Sequence, residues 1–244
     1  MTTREDKVFS DEESGSETFR FGPKVAACFD NMVERSIPLY WELQRAAVTL
    51  ALRHAQPDTA IYDVGCSTGT TLVSLALGCP FKSTRIVGTD YSPDMLERCR
   101  AKLEMSGCSD RVELTNSAVE ETTFERASVV MMNYTLQFSN PDSRSATVRR
   151  VFDALVPGGI FILAEKLKFE DKNTAALMET LYYDFKRRNG YSETEIEQKK
   201  RALDGFLVPF TRKQNEELLF GAGFTQVTQI LQGYPFSVFL AQKS

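Results

Sequence analysis

Histidine is nearly absent from this sequence: His54 is the single one in 244 residues. With no second imidazole, a Ser-His-Asp triad and histidine-based metal sites drop out. His54 itself stands in "LALRHAQPDTA", where a helical stretch ends before Pro57, so a surface or capping role is expected. Paired cysteines are missing too. Cys28, Cys66, Cys79, Cys99 and Cys108 form no CxxC spacing, which argues against a disulfide framework or a zinc site and for free thiols in a reducing cytosol. There is no long basic run, and the formal net charge is −4; nothing points to direct contact with nucleic acid. No apolar segment approaches the roughly 20 residues that cross a bilayer. The opening stretch, "MTTREDKVFSDEESGSETF", is polar and acidic, unlike a signal peptide. The expectation is a cytoplasmic protein with no metal and no membrane partner.

What is present is ordinary globular composition, 42% hydrophobic and 25% charged, at a length that suits one sizeable domain. Residues 1–20 read as an acidic arm, mobile or ordering over a ligand. Residues 21–244 read as a single domain that opens with two helices over 21–57. Then the pattern alternates. Strand "AIYDV" leads to helix "TTLVSLAL"; strand "RIVGTD" leads to "SPDMLERCRAKLEMSG", where Ser92 can cap and Pro93 fits the first helical position. Strands "RVELTN" and "ASVVMMN", helix "DSRSATVRRVFDALVPGG" and strand "IFILAEK" follow. Residues 167–210 carry two helices that interrupt the alternation. A last helix and two apolar runs, "FTQVTQILQG" and "YPFSVFLAQKS", close the chain as a hairpin. This predicts an α/β fold, doubly wound around a mainly parallel seven-stranded sheet, with a helical insertion over the strand ends.

The stretch "IYDVGCSTGT", Ile61 to Thr70, falls where ligands bind in such sheets, outside the carboxyl end of the first strand. Its spacing, Gly65-x-x-x-Gly69, is not G-x-G-x-x-G, and the lysine of a P-loop is missing. Pyrophosphate is therefore the weaker guess. The next strand ends in Asp90, placed to accept hydrogen bonds from both ribose hydroxyls of a nucleoside. A turn with little positive charge plus a ribose-binding acid suits a nucleoside without phosphates, S-adenosyl-L-methionine above all.

Over about residues 58–165 the sequence resembles class I S-adenosylmethionine-dependent methyltransferases. The resemblance implies that Asp63 and the Gly65, Cys66 and Ser67 backbone hold the methionine moiety. It also implies that Asp90 takes the ribose and that Tyr91 flanks the adenine. Asn133, in "MMNYTLQF", would stand near the amino-acid end of the cofactor. Ser117, Ala118 and Val119 occupy a place where this fold often has an acid, so backbone contact at Ala118 and Val119 is what survives.

A narrower resemblance runs through nearly the whole chain after Phe21. "NMVERSIPLY", "YDVGCSTGTT", "DYSPDMLERCR", "NYTLQF", "LVPGGIFILAEKLKFED" and "DFKRRNGYSETEIEQKK" are similar to the carboxy-S-adenosylmethionine synthase family. That resemblance implies that the acidic sulfonium methyl is deprotonated and captures carbon dioxide released from prephenate, the small-molecule partner. Phenylpyruvate and water leave, and hydroxide lost by prephenate takes the proton. The product serves modification of the wobble uridine of transfer RNA. It implies a homodimer, Tyr40 reaching the cofactor from the N-terminal helices, and a cation of the insertion holding the new carboxylate, near a neighbouring subunit's cofactor. The family's Q-K-R reads Gln198-Lys199-Lys200-Arg201 here, so Lys200 aligns with the arginine, or Arg201 takes its place by a shift of register. Lysine lacks the planar fork that matches a carboxylate. The cluster Lys186, Arg187 and Arg188 is a second candidate for anions. Three readings stay open: the carboxylating enzyme, bound to S-adenosyl-L-methionine or carboxy-S-adenosyl-L-methionine; an ordinary small-molecule methyltransferase; and a non-catalytic binder of the nucleoside.

Overall fold

The computed structural model describes residues 4–10 and 19–244. Two helices come first, α1 (Pro23–Ser36) and α2 (Tyr40–His54). Five parallel strands follow, β1 (Ala60–Val64), β2 (Arg85–Asp90), β3 (Val112–Asn116), β4 (Ala127–Asn133) and β5 (Leu155–Lys166), separated by α3 (Thr70–Gly78), α4 (Pro93–Met105) and α5 (Arg144–Ala154). Next come α6 (Lys172–Arg188), α7 (Glu193–Leu203), α8 (Arg212–Gly221) and the hairpin β6 (Gln226–Gly233) and β7 (Phe236–Gln242). The sheet order is β3-β2-β1-β4-β5-β7-β6, with β7 antiparallel to β5 and to β6.

The apolar runs explain this layering. β1 and β4 are buried along almost their whole length, as strands covered on both faces must be. One face packs Leu43, Leu72 and Leu96 over Ile61 and Ile86. The other packs Val148, Val151 and Leu219 against Tyr62, Phe161 and Phe239. The expected helix over 142–159 is shorter than its sequence suggested. It ends at Ala154, because Leu155 already pairs with Ala127 of β4. The register then shifts across Pro157, Gly158 and Gly159 before Ile160 joins the ladder, as a bulge containing a donor-less proline does.

Between β2 and β3 the chain moves one way from β1, and with β4 it moves the other. This switch opens a crevice at the carboxyl ends of β1, β2 and β4. The insertion leaves from a narrow neck: Leu167 bridges Phe210, and the Lys168 N–H donates to the Phe210 carbonyl at 3.1 Å. Its helices sit beside α1, where Arg35 donates from Nε to the Asn189 carbonyl at 2.8 Å. The expected acidic arm lies partly outside the described residues. Of those described, Asp6, Phe9 and Phe19 are buried, the two rings among Val25, Met32 and Ala202. No helix of the described residues is long and apolar enough to cross a membrane.

Candidate active site

The turn after β1 is built from three left-handed residues, Gly65, Ser67 and Gly69. At Gly65 (φ +74°) a Cβ would lie 2.2 Å from the Thr135 hydroxyl, so the missing side chain makes room for a neighbour on the next loop. The turn's first three amides are already committed. Gly65 and Cys66 donate to the Thr89 carbonyl at 2.7 and 2.9 Å, and Ser67 donates to Asp90 Oδ2 at 2.9 Å. Such a loop offers carbonyl and carboxylate oxygens in place of N–H groups. It is the reverse of a phosphate cradle and suits a cation.

Asp90 is held from both sides, since Oδ1 accepts from the Ser92 N–H at 2.9 Å. Each oxygen keeps a lone pair that can accept from a ligand hydroxyl. Ser92 caps α4 by accepting from the Met95 N–H, with Pro93 behind it. Beyond Asp90 the loop after β3 is anchored on its main chain, with Ser117 N–H and Asn116 Nδ2 donating to the Asp90 carbonyl at 3.1 and 2.9 Å. Ala118 and Val119 thereby line the same cleft. Tyr91, half exposed, meets the edge of Phe21. Phe21 in turn abuts Phe29, Phe138 and Phe206, giving this end of the cleft an aromatic wall.

Deeper in the cleft stands Asp63. Burial, and secondarily the Asp90 carboxylate, push its pKa up to about 7. Asn133 faces the cleft with both amide atoms buried and lacking partners among the described residues. A buried amide left unsatisfied costs free energy that a ligand recovers. Tyr40 reaches in from α2, its phenol pushed up by burial and by Asp30 and Asp63. Cys66 is buried against Cys99, and that thiol together with burial raises its pKa well above the ordinary value, which makes it a poor nucleophile. His54 faces away, with Nδ1 3.3 Å from the Gly158 carbonyl.

Tyr40, Asp63, Gly65, Cys66, Ser67, Asp90, Tyr91, Ala118, Val119 and Asn133 therefore share one cleft. Lys200 and Arg201 do not. Both are exposed, and Lys200 pairs with Glu179 at 3.0 Å on the outer surface. The cation of α7 that enters this chain's own cleft is Lys199. Helical spacing is the reason: Ile196, Lys199 and Ala202 recur every third residue on the buried face of α7, and Lys200 is rotated off it. The neighbouring basic run divides the same way. Arg187 is exposed and paired with Asp184 and Glu193, Arg188 is exposed, and only Lys186 is buried. Lys166, Tyr182 and the Phe19 and Phe21 pair are lining residues that the motif reading did not reach. The period-two phenylalanines in "TFRFGP" were a usable signal. Lys166 carried none, since a lysine closing a strand reads as its solvated end.

A seven-stranded sheet of this order, with an acceptor-rich turn after β1 and an acid ending β2, defines the class I S-adenosylmethionine-dependent methyltransferase fold. Residues 61–159 match a family model described as a methyltransferase domain. Among solved structures, an O-methyltransferase family protein from Burkholderia thailandensis is similar with a TM-score of 0.67 at 16% identity, over 91% of this chain and 60% of that one. Human N-acetylserotonin methyltransferase, in complex with S-adenosylmethionine, is similar with a TM-score of 0.61 at 14% identity, over 97% of this chain and 58% of that one. Those likenesses bear on the fold. The sequence relatives go further: a carboxy-S-adenosyl-L-methionine synthase of Methylococcus capsulatus is 40% identical over 98% of this chain and 99% of its own length. A protein of the same name from Shewanella amazonensis is 37% identical over the whole of both. The chain belongs to the carboxy-S-adenosyl-L-methionine synthase family.

Proposed function

We propose that this chain is a carboxy-S-adenosyl-L-methionine synthase that uses S-adenosylmethionine and prephenate and releases phenylpyruvate and water. The observation that carries the cofactor half is the pairing of an unsatisfied amide, Asn133, with buried carboxylates in an acceptor-lined cleft. A sulfonium amino acid brings an ammonium and a carboxylate that such groups partner. Asp90 takes the ribose, Tyr91 and Phe21 flank the base, and Asp63 with the turn's carbonyls faces the cationic end. With no histidine in the cleft, the methyl proton leaves with the hydroxide that prephenate loses. Lys200, turned outward in one chain, serves the cofactor of a second copy in a homodimer, which accounts for its exposure. The product then enters modification of transfer RNA in the cytoplasm, and this protein touches no RNA itself.

The test is incubation with S-adenosylmethionine and prephenate followed by mass spectrometry. A cofactor heavier by one carboxylate is the expected outcome. S-adenosylhomocysteine formed with another acceptor sinks this reading in favour of an ordinary methyltransferase, to which lysine in place of the family's arginine lends some weight.

A further inference from the structure

Behind the cofactor half of the cleft lies an alternating series of lysines and tyrosines that the family reading does not use. Lys166 Nζ stands 5.2 Å from the centre of the Tyr182 ring, and Lys186 Nζ stands 5.3 Å from it. Lys186 also lies 5.4 Å from the Tyr191 ring, which has Lys199 Nζ at 5.4 Å. Lys166, Tyr182 and Lys199 line the cleft, while Lys186 sits one layer behind. Three ammonium groups thus gather where water is scarce, and cation–π contact offsets only part of their desolvation.

Their counter-charges are few and occupied. Asp6 lies 3.9 Å from Lys199 Nζ, but its Oδ2 accepts from the Tyr191 hydroxyl at 2.5 Å and its Oδ1 from the Val8 N–H at 3.2 Å. Glu195 uses one oxygen to complete the cap of α7. Glu179 is paired with Lys200 on the surface. Lys199 spends one donor on Ser36 Oγ at 2.9 Å. The ammonium groups of Lys166 and Lys186 have no hydrogen-bond or ion-pair partner among the described residues. An ammonium has three donors, so the cleft wall presents spare, desolvated positive hydrogen-bond donors.

We infer that Lys166, against the Tyr182 ring, and Lys199, against the Tyr191 ring, form on the wall of one cleft an anion subsite that grips the carboxylate of the co-substrate which the reaction keeps, with Lys186 reinforcing the field from behind. This rests on the proposed synthase reading and adds which end of the dicarboxylate is bound. A carboxylate clamped by ammonium groups is stabilised as an anion and so resists losing carbon dioxide. The carboxylate that is lost must lie away from the lysines, in less polar surroundings. The gripped group is therefore the 2-oxo acid end, which survives in phenylpyruvate, and the product competes for the same subsite.

The experiment titrates phenylpyruvate, and separately prephenate, into protein saturated with S-adenosylhomocysteine, which has no methyl to react. Lys166→Met and Lys199→Met are each expected to weaken both ligands at least tenfold, the loss of one charge-assisted hydrogen bond. Affinity for S-adenosylhomocysteine should stay within about threefold. Lys166→Arg should restore binding. Because Lys166 makes no ion pair among the described residues and its burial outweighs the more distant Glu179, Lys166→Met should melt no lower than the parent without ligand; it decides the matter even if Lys199→Met, which strands Asp6, folds poorly. Lys166→Met protein that binds phenylpyruvate within twofold of the parent overturns the subsite, as does equal loss of the nucleoside. Parent protein that carboxylates S-adenosylmethionine while its lysine variants keep the same KM for prephenate also sinks the subsite and leaves the synthase reading intact. Lysine-dependent binding with no carboxylated product does the opposite. Parent protein that binds neither acid overturns both.

Discussion

The two ends of the cleft bury charge of opposite sign. At the nucleoside end, burial pushes the carboxyls of Asp63 and Asp90 up. At the insertion end, burial pushes Lys166, Lys186 and Lys199 down, Lys199 to about 8. Each set is uncomfortable alone, because desolvation penalises the charged form and the partners nearby are few. The sets also do not neutralise one another: among the described residues no ion pair joins Asp63 or Asp90 to those lysines. A cleft of this kind is complementary to a molecule, or a pair of molecules, cationic at one end and anionic at the other. The cost borne by the free protein is what the ligands recover.

The largest effect that would break this comparison is at Asp90. On the proposed reading Asp90→Ala removes two charge-assisted hydrogen bonds to ribose, and it frees the Ser67 and Ser92 amides that Asp90 holds. A loss of roughly a hundredfold or more in affinity is expected for every S-adenosyl ligand alike, measured by calorimetric titration. An Asp90→Ala variant that keeps the cofactor but loses phenylpyruvate would mean that the ends have been assigned the wrong way round.

Asp63 sharpens the comparison through pH. Its pKa in the folded chain, about 7, lies above the ordinary value of 3.8. The folded state thus holds a proton more tightly than the unfolded one. The stability this gives is complete below about pH 4 and is lost as pH rises through 7. Asp63→Asn should therefore melt higher than the parent at pH 8 and without that slope. Ligand binding runs the other way. A cationic ligand group favours ionised Asp63, so affinity for S-adenosylmethionine should climb from pH 6 to 8, and Asp63→Asn should flatten the climb and bind about tenfold more weakly at pH 8. A variant that keeps the parent's pH profile would show that another group does the titrating.

The same two regions differ in how far the sequence disclosed them. The sheet and the nucleoside end were readable because local rules act there. Strands buried on both faces are apolar runs, Ser92-Pro93 is a start signal, and Asp63, Gly65 and Asp90 end strands or open a turn. The insertion end depends on which face of α7 turns inward, and a motif alignment does not record that. Matching Lys200 to an arginine points to α7 and to its outward face. The burial of Ile196 and Ala202 on the opposite face turns Lys199 into this chain's own cleft. Asp6 was beyond such rules, because its role follows from Tyr191 and Lys199, which lie nearly two hundred positions along the chain.

Lys200 is expected to show the smallest effect in a single chain and carries a separate test of assembly. Its contact with Glu179 joins two half-exposed side chains, a pair worth about 0–1 kcal/mol. Lys200→Ala should accordingly shift the melting temperature by no more than a few degrees and leave phenylpyruvate binding to Lys166 and Lys199 unchanged. If the lysine serves a second copy's cofactor, binding of the carboxylated cofactor should fall in Lys200→Ala and be kept or improved in Lys200→Arg, whose fork fits a carboxylate better. Mixing Lys200→Ala with Asp90→Ala chains then gives mixed dimers in which one of the two sites has Asp90 from one copy and Lys200 from the other. Activity should return in the mixture, toward roughly a quarter of the parent's if pairing is random. Lys200→Ala protein that keeps the parent's activity and its affinity for the carboxylated cofactor would place Lys200 outside any shared site, and the insertion's outward face would be surface and nothing more.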